Sequence, residues 1–189
     1  MARPLSEEKR DAILTAAADL VATLGIGAST AKIAKAAGVA EGTLFTYFPT
    51  KDDLLNQLFL EIESGLAEVM TASHPTTSDP RECVRHIWER LIDWGVANPT
   101  WRKTLRQLKV SGRIRPDSLR RFDIQFRETR ARVERSLAGR SDPARMPFYI
   151  DTMLLGLAEI AMDAIAVNPG ERERITQAGF DLFWKGTAA

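Results

Sequence analysis

Apolar residues return every three or four positions along almost the whole of this chain, and that spacing leaves little choice of fold. Ile13, Ala16, Ala17, Leu20, Val21 and Leu24 form one such series. Only an α-helix places residues so spaced on one face. No segment alternates apolar and polar residues between hairpin turns, so strands have no support. The stops and starts agree. Ser6 stands as an N-cap before Glu7 and Glu8, acids suited to the positive end of a helix dipole. Gly25 and Gly27 stop that helix. Short helices are expected from about Thr30 to Ala37 and from about Glu41 to Phe48, separated by Gly38 and ended by Pro49. Thr50, with Asp53 three residues on, opens a longer helix bearing Leu54, Leu55, Leu58, Ile62 and Leu66.

The polar run from Ser73 through His74 to Ser78 reads as a loop. Asp79-Pro80 and Asn98-Pro99 each restart a helix with proline at its first position. The first of these carries Val84, Ile87, Trp88, Leu91 and Ile92. A helix after Gly112 and Pro116 should turn Leu119, Phe122, Phe126, Val133 and Leu137 inward and close at Gly139. Asp142-Pro143 opens one long helix ending at Asn168-Pro169-Gly170, and a last helix carries Ile175, Ala178, Gly179, Leu182 and Phe183. The expectation is an all-α protein of about nine helices, three short N-terminal ones, a linking helix and five more.

Composition narrows the function classes. The chain has 189 residues, 44% of them hydrophobic and 27% charged, a globular balance. Net charge is only +1, so any affinity for nucleic acid must come from local arrangement. The lone Cys83 allows no internal disulfide, which suits a reducing cytosol. The first residues, Arg3 among them, contain no apolar core of signal-peptide length. The most apolar run, Met153 to Val167, is short for a membrane span and is interrupted by Glu159 and Asp163. A cytoplasmic protein with no membrane association is expected.

The most specific segment is STAKIAKAAGVAEGTLFTYFPTK, residues 29–51. Ile33, Ala34 and Ala37 give a first short helix its inward face, and Ala34 is small enough for close approach. Gly38 can take the left-handed conformation of a tight turn, and Val39, Leu44 and Phe48 fill the angle. Two helices crossing through such a turn make a helix-turn-helix, whose second helix enters the major groove of DNA. The outward residues of that helix are Glu41, Gly42, Thr43, Thr46 and Tyr47, small or polar as groove contact requires. Glu41 can accept from a cytosine amino group and Thr46 can meet a thymine methyl. Thr30 and Lys32 open the first short helix, whose N–H groups can receive a phosphate. Phe45, Phe48 and Leu44 read as packing residues. Lys35 reads equally as a DNA contact or a solvated charge.

The run IAKAAGVAEGTLFTYFPTKDDLL resembles the N-terminal signature of the TetR family, where a stretch like TLYxYFxxKxxLL closes the DNA-binding domain. The resemblance covers about residues 8–60. It implies a helix-turn-helix domain over residues 1–50 and a helical ligand-binding and dimerisation domain over 51–189. It also implies that Thr43 and Tyr47 contact phosphates or base edges and that Lys51 pairs with a phosphate. Phe45 departs from the family's tyrosine and lacks its hydroxyl. Arg3, Lys9 and Arg10 are candidates for added backbone contacts. The implied function is a regulator, a repressor, that binds a pseudo-palindromic operator on double-stranded DNA as a homodimer and is released by a small-molecule effector.

The remainder is read with that in view. The helix around Met153 to Ile165 is apolar nearly all round, as in a helix buried on more than one side. The resemblance implies that it and the last helix pair with their copies in the dimer; a monomeric core is the alternative. Apolar and aromatic side chains in the middle helices, Trp88, Leu91, Trp94, Phe122, Phe126, Met153 and Leu157, are candidates for an effector pocket, against plain core packing. Residues 102–121 set eight Lys and Arg against one acid, Asp117. They read as a solvated face balanced by acids elsewhere, or as a site for anions. Cys83 and His86 share a helix face but make poor evidence for a metal, and Glu159 and Asp163 read as buried, satisfied carboxylates or as ligands for a cation. No phosphate loop, nucleophile elbow or catalytic constellation is present, so no enzyme, metal or cofactor is expected. The rival readings are a helical small-molecule-binding protein and a regulator that acts through protein partners without an effector.

Overall fold

The computed structural model describes residues 6–72 and 78–188. Arg3, His74 and the Ser73–Thr77 part of the expected loop lie outside them. Among the described residues are nine α-helices and no strand. These are α1 (Glu7–Leu24), α2 (Thr30–Ala36), α3 (Glu41–Tyr47), α4 (Lys51–Thr71), α5 (Pro80–Ala97), α6 (Pro99–Val110), α7 (Pro116–Leu137), α8 (Leu155–Val167) and α9 (Arg172–Gly186). The chain forms two compact units. One holds the residues up to Ser64 together with Asn98–Phe122; the other holds Gly65–Ala97 and the residues from Asp123 onward. The units do not divide at residue 50: α4 and α7 each contribute to both, and α6 belongs with the N-terminal helices.

In the first unit, Ile13, Ala17, Val21, Ile33, Leu44, Leu54, Leu55, Phe59, Ile62 and Leu108 are fully buried. Each large apolar side chain so buried contributes about 1.5–3 kcal/mol. Helix α6 lies along α1, where the Thr104 hydroxyl donates to the Ala18 carbonyl at 2.8 Å in the interior. Two expected inward residues turn out. Leu24 is 53% exposed because it ends α1, just before Gly25 leaves the helix at φ 73°. Leu119 is exposed because the preceding residue, Ser118, turns inward instead. Its hydroxyl donates to the Asn56 side-chain oxygen at 3.0 Å.

In the second unit, α5, α8 and α9 pack together. Trp88 of α5 is wholly buried, and its indole N–H donates to the Thr176 carbonyl at 3.0 Å. A Cβ added at Gly179 would stand 2.8 Å from that indole, so α9 approaches α5 this closely only with glycine there. Phe180 and Phe183 complete the inward face of α9, while Ala178 and Leu182 face outward. The long helix expected after Asp142 is divided. A 3-10 turn at Pro143–Arg145 and a π-helical turn at Phe148–Leu154 precede α8. Pro147 stands between them in helical backbone, φ −59° and ψ −41°, and has no N–H to donate to the preceding turn, so the segment stays helical but changes its hydrogen-bond pattern. Along α8, Ala158, Ala161, Met162 and Ile165 are buried, whereas Ile160 and Val167 are well exposed. Asp163 is exposed and Glu159 half-buried, so these two are not the buried carboxylates expected. No helix of the described residues is long and apolar enough to cross a membrane.

Candidate nucleic-acid interface

The helix-turn-helix is built as its sequence requires. The Ser29 hydroxyl caps α2 by accepting from the Lys32 N–H at 3.3 Å. Gly38 takes φ +69° in the turn, a conformation side-chain-bearing residues adopt only with strain. The Val39 N–H then bonds back to the Ala34 carbonyl at 3.0 Å. Ile33, Ala34, Leu44 and Phe48 are buried in the angle. Glu41, Gly42, Phe45 and Thr46 are left exposed on α3, with Thr43 and Tyr47 half-buried. Phe45, expected to pack, is 40% exposed. Only Leu44 of this helix is buried, because seven residues present one inward turn. Lys32 and Lys35 are exposed on α2.

Several of these side chains hold one another. The Thr30 hydroxyl donates to Glu41 Oε1 at 2.6 Å, tying the start of α2 to the start of α3 and fixing the carboxylate. The Thr46 hydroxyl donates to the Gly42 carbonyl at 3.0 Å. The Tyr47 hydroxyl accepts from the Ser6 N–H at 2.9 Å, so it joins α3 to the start of α1 and keeps its own proton to donate.

Lys51 begins α4. Burial, and then the nearby Arg113 guanidinium, hold its ammonium below the usual lysine value. Two cations drawn together this way favour an anion beside them. The expected cap of α4 is present: Thr50 accepts from the Asp53 N–H at 3.1 Å and donates to the Asp53 carboxylate at 2.8 Å.

The basic stretch proves to be largely paired. Arg113 meets Asp52 at 2.8 Å, Arg115 meets Asp53 at 2.6 Å, Lys109 meets Glu63 at 3.2 Å, and Arg120 pairs with Asp117. The Asp53 carboxyl is held low, first by the hydrogen bond from Arg115 and then by that from Thr50. Behind the first two pairs lies Asn56, wholly buried. Its amide donates to the carbonyls of Asp52 at 2.8 Å and Arg113 at 3.0 Å, and its oxygen accepts from the Arg115 N–H at 2.8 Å and from Ser118. Sequence reasoning missed this clasp. Its signal was an asparagine placed among the apolar residues of α4, between Leu55 and Phe59.

The pocket candidates fall in both units. Phe122 is in the first, its ring 6.4 Å from that of Phe59 and 4.5 Å from the Lys109 ammonium. Trp88, Leu91, Trp94, Phe126, Met153 and Leu157 are in the second; the first three are buried and the others half-buried.

Residues 13–58, the segment that carries α2, α3 and the start of α4, match the family described as bacterial regulatory proteins of the tetR family. The chain thus carries a tetR-family domain. It is similar to a protein assigned as a tetR-family transcription regulator from Shewanella sp. PV-4, at 28% identity and TM-score 0.83 over 96% of this chain and 98% of that one. The fold is also that of LfrR from Mycobacterium smegmatis, a TetR-like regulator solved with proflavine, at 23% identity and TM-score 0.70 over 97% and 99% of the two chains. Over 71 residues the chain is 34% identical to the nucleoid occlusion factor SlmA of Haemophilus influenzae, covering 38% of this chain and 33% of that protein. It thus spans about a third of the length of the first curated relatives it matches.

Proposed function

We propose that this TetR-family chain is a transcriptional repressor that binds a pseudo-palindromic operator as a homodimer, is released by a small-molecule effector and works in the cytoplasm. The observation that carries the reading is α3, a short helix braced by Leu44 and Thr30 whose outer face is left to solvent. Set in the major groove, Glu41 and Thr46 meet base edges. Thr43, Tyr47 and Lys51 meet phosphates, and Thr30, Lys32 and the α2 N–H groups approach the backbone. Gly42 lets the helix come close.

Two-fold symmetry follows from α8 and α9. Ile160, Val167, Leu155 and Leu182 form exposed apolar surface on these helices, of the kind a second copy covers. In a dimer the two α3 helices enter successive major grooves about 34 Å apart. The half-buried Phe126, Met153 and Leu157 and the buried Leu91 and Trp94 are the proposed effector contacts of the second unit. LfrR, which shares the fold, holds proflavine. An effector acts here by preferring the conformation that DNA does not.

Selection from a random duplex pool at fixed, near-physiological salt tests the reading, with a Lys51→Ala, Thr46→Ala double variant as control. The wild type is expected to enrich a two-fold symmetric site and the control is not. Lys51→Ala alone should weaken binding to all sequences and reduce the salt slope by about 1. Thr46→Ala alone should alter base preference at one position per half-site. Enrichment without symmetry, or none, overturns the repressor reading.

A further inference from the structure

The hydrogen-bonding inventory of α3 is unusually small for a reading helix. It contains no Arg, Lys, Asn or Gln, the side chains that grip guanine or adenine through two hydrogen bonds. Three of its polar side chains are already engaged within the protein. The Thr46 hydroxyl donates to the Gly42 carbonyl, the Tyr47 hydroxyl accepts from Ser6, and one oxygen of Glu41 accepts from Thr30. Beside these groups α3 also offers apolar surface outward. Phe45 is 40% exposed, and one turn before it Gly42 presents bare backbone. A Cβ built at Gly42 meets nothing within 4 Å, so no neighbour in the fold demands glycine there. Glycine inside a helix is nonetheless the less stable choice. An exposed phenyl ring beside an unfilled notch is suited to an apolar group. In the major groove only thymine displays one, its C5 methyl.

We propose that Phe45 reads the C5 methyl of one thymine in each half-site, with the methyl seated beside the notch over Gly42. The phenyl ring makes this contact without a hydroxyl that would need a partner of its own. The base preference of α3 then combines this methyl with the base edge that Thr46 meets and with an amino group donating to the second oxygen of Glu41. The proposal rests on the reading above that α3 enters the major groove.

The test uses the full chain and the duplex enriched by selection, with each thymine replaced singly by deoxyuridine, which deletes only the methyl. At one thymine per half-site the replacement should weaken wild-type binding about fourfold, and about fifteenfold when both half-sites carry it. Phe45→Ala, checked for an unchanged helical signal and melting curve, should bind the two duplexes equally. Placing 5-methylcytosine rather than cytosine at that position should strengthen wild-type binding and leave the variant unaffected. Uracil tolerated at every thymine overturns the proposal, as does a uracil penalty that persists in Phe45→Ala. A selection that enriches no site overturns it too, but at the earlier step, where the DNA reading itself fails.

Discussion

Two regions of the first unit handle charge in opposite ways. Residues 102–121 hold most of its cations, yet Lys109, Arg113, Arg115 and Arg120 each face a carboxylate, and the segment is fastened to α4 through Asn56. Among the described residues, the outer face of α2 and α3 holds only the cations Lys32 and Lys35, and both are exposed. Charge density along a sequence therefore says little about where DNA lands; the informative quantity is how much hydrogen-bonding and charge capacity the fold leaves unengaged. On the proposed reading, the basic stretch serves cohesion and the thin, lightly charged face serves recognition. Replacements in the first should change stability before binding, and replacements in the second binding before stability.

The sharpest version concerns Asn56. Replacing it with leucine keeps the branched skeleton but leaves the Arg115 N–H, the Ser118 hydroxyl and the Arg113 carbonyl without their partner. Each buried group so orphaned costs about 1–3 kcal/mol, so Asn56→Leu should lose about 3–5 kcal/mol in urea unfolding. Lys51→Ala, five residues away, should leave the midpoint nearly unmoved while it weakens DNA. If Asn56→Leu unfolds at the wild-type midpoint, the clasp is ornamental and the comparison fails on that side.

The same stretch contains an ion pair that works against itself. Glu63 is wholly buried on α4 and Lys109 Nζ stands 3.2 Å away, yet neither carboxylate oxygen has a well-aligned hydrogen-bond donor. Burial pushes the Glu63 carboxyl up to about 7, and the Lys109 charge only partly opposes it. The folded state thus prefers this group protonated. Its contribution to stability is complete below the unfolded value of 4.5 and is lost as pH rises through about 7. The loss amounts to about 3 kcal/mol between those limits. Measured at several pH values from 4.5 to 8, the wild type should lose stability relative to Glu63→Gln. Parallel curves for the two proteins would show that Glu63 titrates as an ordinary surface acid.

The sequence made the helices legible because period and punctuation coincide. Ser6, Ser29, Gly38, Thr50, Pro80 and Pro99 each act where local chemistry alone places a start or a turn. It failed where a distant partner decides. Ser118 turns inward rather than Leu119 because Asn56, 62 residues earlier, waits for its hydroxyl. The proposed reading face was legible as an exposed face but not in its internal bonding: Thr30 and Glu41 are both expected DNA contacts, and only the folded chain brings them within 2.6 Å of each other. Phe45 was misread because aromatic residues are usually buried, and a short helix with a single inward residue gives periodicity too little length to correct that prior.

The smallest expected effect cuts between the two regions most cleanly. Gly42 sits inside α3 where a Cβ would meet nothing within 4 Å, so alanine is free to occupy the site. Alanine is the better helix former and restricts the unfolded chain more, so Gly42→Ala should stabilise the protein by about 0.5–1 kcal/mol. If that bare backbone exists to let DNA approach, the same methyl group must weaken operator binding while it raises the melting temperature. A variant that gains stability and binds as before would place the DNA elsewhere on α3. One that gains stability and loses affinity would show that the fold forgoes helix stability at this position for the sake of what the helix touches.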